Sequence, residues 1–218
     1  MRKISYFISF FAVLCTLLLN VLSDSRSDWL VVQTPEILHT KITITYGLSQ
    51  RCENTLTSIP GRNNGKWEYT DYECRAFPAK VADGCEDENE GFCSAWISAS
   101  YFEELAIWCA AASLVSILFG ISTHSRRRRI WRAVACLIFL HAIFQIIAFA
   151  LVTDLYRRAR FPTFEQAHPG TAYVLNVISW VSSILVVFAI ITTGMAADKG
   201  VRWAAGNRAY QSLDQEVG

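Results

Sequence analysis

Apolar residues gather in four long blocks, and the stretches between them are polar. Ile4 to Leu22, Leu105 to Ser122, Ala133 to Thr153 and Thr171 to Ala196 contain no Asp, Glu, Lys or Arg. Each block is close to the roughly 20 residues a helix needs to cross a bilayer core. The pattern predicts an all-α four-helix transmembrane bundle. Residues 1–3, 123–132 and 197–218 then lie on one side of the membrane, with residues 23–104 and 154–170 on the other.

The long connection at 23–104 changes period. Lys41-Ile-Thr-Ile-Thr-Tyr-Gly-Leu48 alternates apolar and polar residues, and Trp67-Glu-Tyr-Thr-Asp-Tyr-Glu-Cys74 is rich in aromatics, so both read as strands. Between them Asn63-Asn64-Gly65 offers residues that accept positive φ, as a hairpin turn requires. Ile42, Ile44, Tyr46, Leu48 and Cys52 share parity, which predicts a small sheet with one apolar face.

Composition agrees with a membrane protein: 52% of the residues are hydrophobic, and the mean hydropathy is +0.26. The net charge of +1 carries no information about a partner, because it sums an acidic loop and basic edges. Orientation comes from Lys and Arg in the short loops. Arg2, Lys3, Arg126 to Arg129 and Arg132 place both termini in the cytoplasm and residues 23–104 outside. Arg157, Arg158 and Arg160 run against this rule, but they are fewer and stand beside Asp154 and Glu165. The first block is longer than a signal-peptide core, so it is read as a retained span.

Of seven cysteines, Cys15, Cys109 and Cys136 fall inside the blocks, and Cys52, Cys74, Cys85 and Cys93 fall on the long connection. Four cysteines allow three pairings. Cys52 with Cys74 and Cys85 with Cys93 are favoured, because each pair closes a local unit. The first bridge would stabilise a domain with little core by roughly 3 kcal/mol. The second encloses Glu86, Asp87, Glu88 and Glu90. Their spacing matches no calcium loop, so they are read as a solvated acidic turn. The connection carries no acceptor sequence for N-glycosylation.

Trp29 soon after the first block, Gly47-Leu48 with Cys52 four residues on, and Cys74-Arg75 resemble the claudin superfamily. That superfamily includes the peripheral myelin and epithelial membrane proteins and fungal claudin-like tetraspans. Asp154-Leu155-Tyr156, Phe161-Pro162, Glu165 and Gly170-Thr-Ala-Tyr173, leading to Trp180, resemble its second outer loop. The resemblance implies a claudin-like fold, with a small disulfide-stapled extracellular antiparallel β-sheet on the four-helix bundle. It also implies a plasma-membrane or secretory-pathway location, partners among other membrane proteins or a second copy, and no enzymatic activity. The chain departs from claudins at Ser49, where they carry Trp. It departs also in its wider cysteine spacing, in the Cys85/Cys93 unit and in its end, Gln215-Glu216-Val217-Gly218.

Polar residues within the blocks point to packing between helices. Ala112, Ser116 and Gly120 form a small-residue stripe for close approach by another span. His141 and Gln145 share one helix face, and Asn176, Ser179, Ser182 and Ser183 mark the fourth block. Such groups face a bundle interior and hydrogen-bond across it. No acidic residue interrupts a block. Tyr210-Gln211-Ser212-Leu213 has the form of a tyrosine-based endocytic signal.

No cofactor or metal site is expected. His39, His124, His141 and His168 fall at different depths, and no nucleophile–base arrangement or phosphate-binding loop is apparent. No feature points to nucleic acid. Two function classes remain. One is an organising tetraspan that contacts neighbours through Glu86, Asp87, Glu88, Glu90, Arg157, Arg158 and Arg160. The other is an ion-pathway protein, either a paracellular-type cation pore or a channel's regulatory subunit, since acidic rings select cations.

Overall fold

The computed structural model describes residues 3–35, 40–60, 66–122 and 127–201. Four long apolar helices form a bundle: α1 (Lys3–Ser25), α2 (Glu90–Ser122), α3 (Arg127–Arg157) and α4 (Thr171–Asp198). Each is long and apolar enough to cross a membrane, which makes the chain a four-span integral membrane protein by helix composition. Five strands accompany them: β1 (Leu30–Gln33), β2 (Thr40–Tyr46), β3 (Gln50–Pro60), β4 (Lys66–Ala76) and β5 (Ala167–Pro169). They form one antiparallel sheet in the order β4-β3-β2-β1-β5.

Two helices start earlier than their apolar blocks. α2 begins at Glu90 and not at Leu105, so it includes Glu103 and Glu104; α3 begins at Arg127 and not at Ala133. Buried positions on α2 advance by alternating steps of four and three through Phe92, Trp96, Ala99, Glu103, Ala106, Ala110, Ser113, Ile117 and Gly120. On α3 the same steps join Val134, Ile138, His141, Gln145, Ala148, Val152 and Leu155. A seam repeating every 3.5 residues is the signature of left-handed helix packing.

The chain divides into two compact units. The first holds the chain up to Asn20, Leu105–Gln145 and the chain from Ile178 on, and the elements among its described residues are helices. Its core joins Tyr6, Val13, Ile117, Val134, Ile138, Val187 and Ile190. The second holds Val21–Glu104 and Ile146–Val177, and with them the whole sheet. Its core is aromatic: Trp29, Tyr46, Phe77, Phe92, Trp96, Phe161 and Phe164 pack with Leu30, Val32, Ile44 and Leu48.

The strand expectation was incomplete. β2 and β4 are not hairpin partners, because β3 lies between them and pairs with both. β3 is mostly polar, so alternation did not expose it; its strand conformation comes from ladders on both sides. Asn63-Asn64-Gly65, His39, His124, Arg126, Tyr210-Gln211-Ser212-Leu213 and the final four residues lie outside the described residues.

Candidate interaction surface

The sheet has two unlike faces. On one, Leu30, Val32, Ile44 and Tyr46 are buried in the aromatic core. That face does not stay apolar, because Tyr46 stands opposite Arg51, which stands opposite Arg75, and Ile44 stands opposite Glu53, then Glu73. Where the hairpin of β3 and β4 leaves the core, this face carries Arg51, Glu53, Glu73 and Arg75, all of them charged. The other face carries the rows Thr45–Cys52–Cys74 and Thr43–Asn54–Tyr72, since directly opposed residues share a face. Cys52 therefore lies opposite to Ile42, Ile44 and Tyr46, and the shared-parity expectation fails there. Parity holds along one strand; the Gly47–Ser49 turn resets it.

Two covalent and one ionic tie hold this hairpin and the turn that follows. Cys52–Cys74 joins directly opposed residues of β3 and β4, and Cys85–Cys93 closes the acidic turn onto the start of α2. Arg75 donates to both oxygens of Asp83 at 2.7 and 2.6 Å, and Asp83 also accepts the Ala79 N–H at 2.7 Å. Burial pushes the Asp83 carboxyl up, but the Arg75 guanidinium and the Ala79 N–H outweigh it and hold it below the ordinary carboxylate range. Asp83 is the residue that sequence reasoning missed here. Its only signal was the turn-forming pair Asp83-Gly84, where Gly84 has φ +65°.

The residues of the family-like motif each have a physical task. Trp29 is fully buried and donates its indole N–H to the Ser23 carbonyl at 2.9 Å. Leu48 is buried, and its carbonyl accepts the Trp96 indole N–H at 3.2 Å. Gly47 is required by close approach: a Cβ there would stand 2.8 Å from Ser27 Cα and 3.0 Å from the Arg26 carbonyl. Gly170 has the same role on the other side of this link, because its Cβ would collide with the Asp28 carbonyl. Residues 26–29 are thus clasped between two glycines. Tyr46 reaches across the unit to Thr163, hydroxyl to hydroxyl at 2.7 Å.

Glu86, Asp87, Glu88 and Glu90 are all exposed, as are Arg157, Arg158 and Arg160. Arg158 pairs with Asp154 at 2.9 Å, one turn earlier on α3. The acidic turn follows β4 and the basic cluster closes α3, so both belong to the unit that carries the sheet.

The small-residue stripe divides. Gly120 is buried, and a Cβ there would press on Tyr6 and Ile130, whereas Ala112 is exposed and Ser116 half-buried. The side of α2 that packs within the chain is the alternating seam, one position removed from Ala112 and Ser116. His141 and Gln145 are fully buried. His141 Nδ1 donates to the Ala106 carbonyl at 2.9 Å, Gln145 Nε2 donates to Ser179 Oγ at 2.9 Å, and Ser179 Oγ donates to the Thr16 carbonyl at 3.0 Å. These bonds tie α3 to α2, and α3 through α4 to α1.

Glu103 is the second residue missed. It is fully buried, and both its carboxyl oxygens accept from Asn176 Nδ2 at 3.0 Å. Reading apolar blocks ends a span at the first acidic residue, whereas a carboxyl group with a hydrogen-bond partner continues the seam. Among the described residues no group of three or more His, Cys, Asp or Glu has the arrangement of a metal site. No protein-family model and no curated protein matches the chain.

Proposed function

We propose that the chain is a claudin-like tetraspan that organises membranes or cell contacts through its two sheet-bearing connections, without a catalytic step. One observation carries this reading. A disulfide-stapled antiparallel sheet lies between α1 and α2 and takes its fifth strand, β5, from the connection between α3 and α4. A bundle with four spans needs no such sheet to stay in a bilayer, so the sheet serves contacts beyond it. In this reading both termini are cytoplasmic, the sheet faces outward, and the station is the plasma membrane or another membrane of the secretory path. The exposed acidic turn and the exposed arginines are the contact charges, toward other membrane proteins or a second copy.

A second reading, a cation pathway or a channel's regulatory subunit, draws on the same exposed carboxylates. Proximity labelling of the intact protein, with and without Cys52→Ser, tests the first. Neighbours that depend on the staple are expected, and an unchanged neighbour set overturns the organising role. Neutralising Glu86, Asp87, Glu88 and Glu90 separates the two: altered ion flux with unchanged clustering favours the pathway, and lost clustering with unchanged flux favours the organiser.

A further inference from the structure

The polar face of the sheet is not flat. An open cleft of about 320 Å³ lies between it and the link that follows α1, at the lower end of the range for small-molecule sites. Arg26 and Asp28 line one wall, and Thr43, Thr45, Asn54 and Tyr72 the other. Arg26 binds both oxygens of Asp28 at 2.8 and 2.9 Å, so the lining carries no net charge. The clasp of Gly47 and Gly170 fixes the first wall, and the Cys52–Cys74 bridge fixes the second. Asn54 lies between Thr43 and Tyr72 in the same cross-strand row of this wall. Tyr72, 62% exposed, stands in the same row as Asn54 and offers a ring surface.

We propose that this cleft binds a neutral sugar unit. A sugar brings hydroxyls that donate to Asp28 and accept from Arg26 and Thr43, and it brings a C–H face for the Tyr72 ring. The balanced Arg26–Asp28 pair gives no surplus charge to hold a phosphate, sulfate or carboxylate. The sugar belongs to a soluble or matrix glycan or to a glycolipid headgroup; the recognition chemistry is the same. The inference does not depend on the organising role proposed above.

The test uses the full chain in lipid nanodiscs. Its probes are neutral tetrasaccharides of glucose, galactose, mannose and N-acetylglucosamine, their sulfated counterparts, and vesicles containing galactosylceramide or glucosylceramide. Binding of at least one neutral probe is expected, weakened about tenfold by Thr43→Val and by Tyr72→Ala, the scale of one lost contact. Tyr72→Phe keeps the ring and most of the affinity, and Tyr69→Ala, on the other face, changes nothing. Thermal unfolding of each variant checks the fold. Capture of a free tetrasaccharide identifies a glycan source, and capture of glycolipid vesicles alone identifies a headgroup. No binding, preference for the sulfated probes, or equal binding by Tyr72→Ala overturns the proposal.

Discussion

The two units of this chain are built from the same four helices yet hold together in different ways. In the helical unit, Phe7, Ile8, Trp108, Phe119, Leu185 and Phe188 are exposed, while His141, Gln145, Ser113, Ser179 and Ser183 are buried. Around the sheet of the other unit this reverses: Trp29, Trp96, Tyr46 and Phe164 are buried, and Glu86, Asp87, Glu88 and Arg157 are exposed. The difference reports the solvent of each part. Apolar outer side chains gain nothing by association where the surroundings are lipid, so the helical unit relies on close packing and hydrogen bonds between helices. The sheet-bearing unit buries aromatic surface away from water and adds staples.

That contrast predicts unequal costs for single changes. Trp96 makes ring contacts with Phe77 at 5.4 Å, Phe92 at 5.6 Å and Phe164 at 5.7 Å, and it satisfies the Leu48 carbonyl. Trp96→Ala is expected to cost about 3–5 kcal/mol. Thermal unfolding in nanodiscs measures it, and a loss under 1 kcal/mol would remove the aromatic core from the account.

Replacing Cys52 and Cys74 together by Ser comes next, at roughly 3 kcal/mol for a loop of this length. The effect should be local, because the charged row of Arg51, Glu53, Glu73 and Arg75 gives this part of the hairpin no apolar packing to fall back on. Protease sensitivity between Gln50 and Ala76 is expected to rise while helical circular dichroism holds. Loss of the helices too would show that the units do not differ as argued.

Acid acts on the same region more gently. The Asp83 carboxyl is held below its ordinary value, and Asp28 likewise, chiefly by its hydrogen bonds from Arg26. A lowered folded-state value contributes stability that is present above the unfolded carboxylate value near pH 4 and is lost as pH falls through the folded value. Protease protection of the turn before α2 is therefore expected to weaken below about pH 4. Asp83→Asn should flatten much of that response; an unchanged profile would sever the link to this ion pair.

Much of this architecture is legible in the sequence, for reasons that also explain what is not. Four charge-free blocks announce four spans because lipid tolerates few charges, and Cys52–Cys74 and Cys85–Cys93 follow from nearness along the chain. β3 stays hidden because its residues, Glu53 and Asn54 among them, meet neither core nor period; its partners make it a strand. Glu103 stays hidden because its acceptability depends on Asn176, a contact between distant segments. The cleft is least legible, since Arg26, Asn54 and Tyr72 converge only once the register is set.

In the helical unit, Gln145→Leu removes the bond to Ser179 and leaves the packing volume. Hydrogen bonds between helices in membranes contribute about 0.6 kcal/mol on average and up to about 1.7 kcal/mol. A cost in that range is expected, well below that of Trp96→Ala. An equal cost would mean that buried polar bonds, and not aromatic burial, set the stability of the whole chain.

The smallest effect has the opposite sign. α3 ends with the Arg160 N–H on the Leu155 carbonyl and the Ala159 N–H on the Tyr156 carbonyl, both at 3.1 Å, the pairing of a Schellman cap. That cap needs a left-handed residue, and Ala159 supplies it at φ +44°, where glycine is usual. Holding a Cβ in that region costs roughly 1–2 kcal/mol, and glycine's greater freedom in the unfolded chain returns about 0.5–1 kcal/mol of any relief. Ala159→Gly is therefore expected to stabilise the sheet-bearing unit by about 0.5–1 kcal/mol. The strain sits between Arg158 and Arg160, so the same variant also asks whether the basic cluster needs a rigid support. If stability rises while proximity-labelled neighbours are unchanged, the cap is only structural; if neighbours are lost as stability rises, the strained alanine holds the arginines in place for a partner.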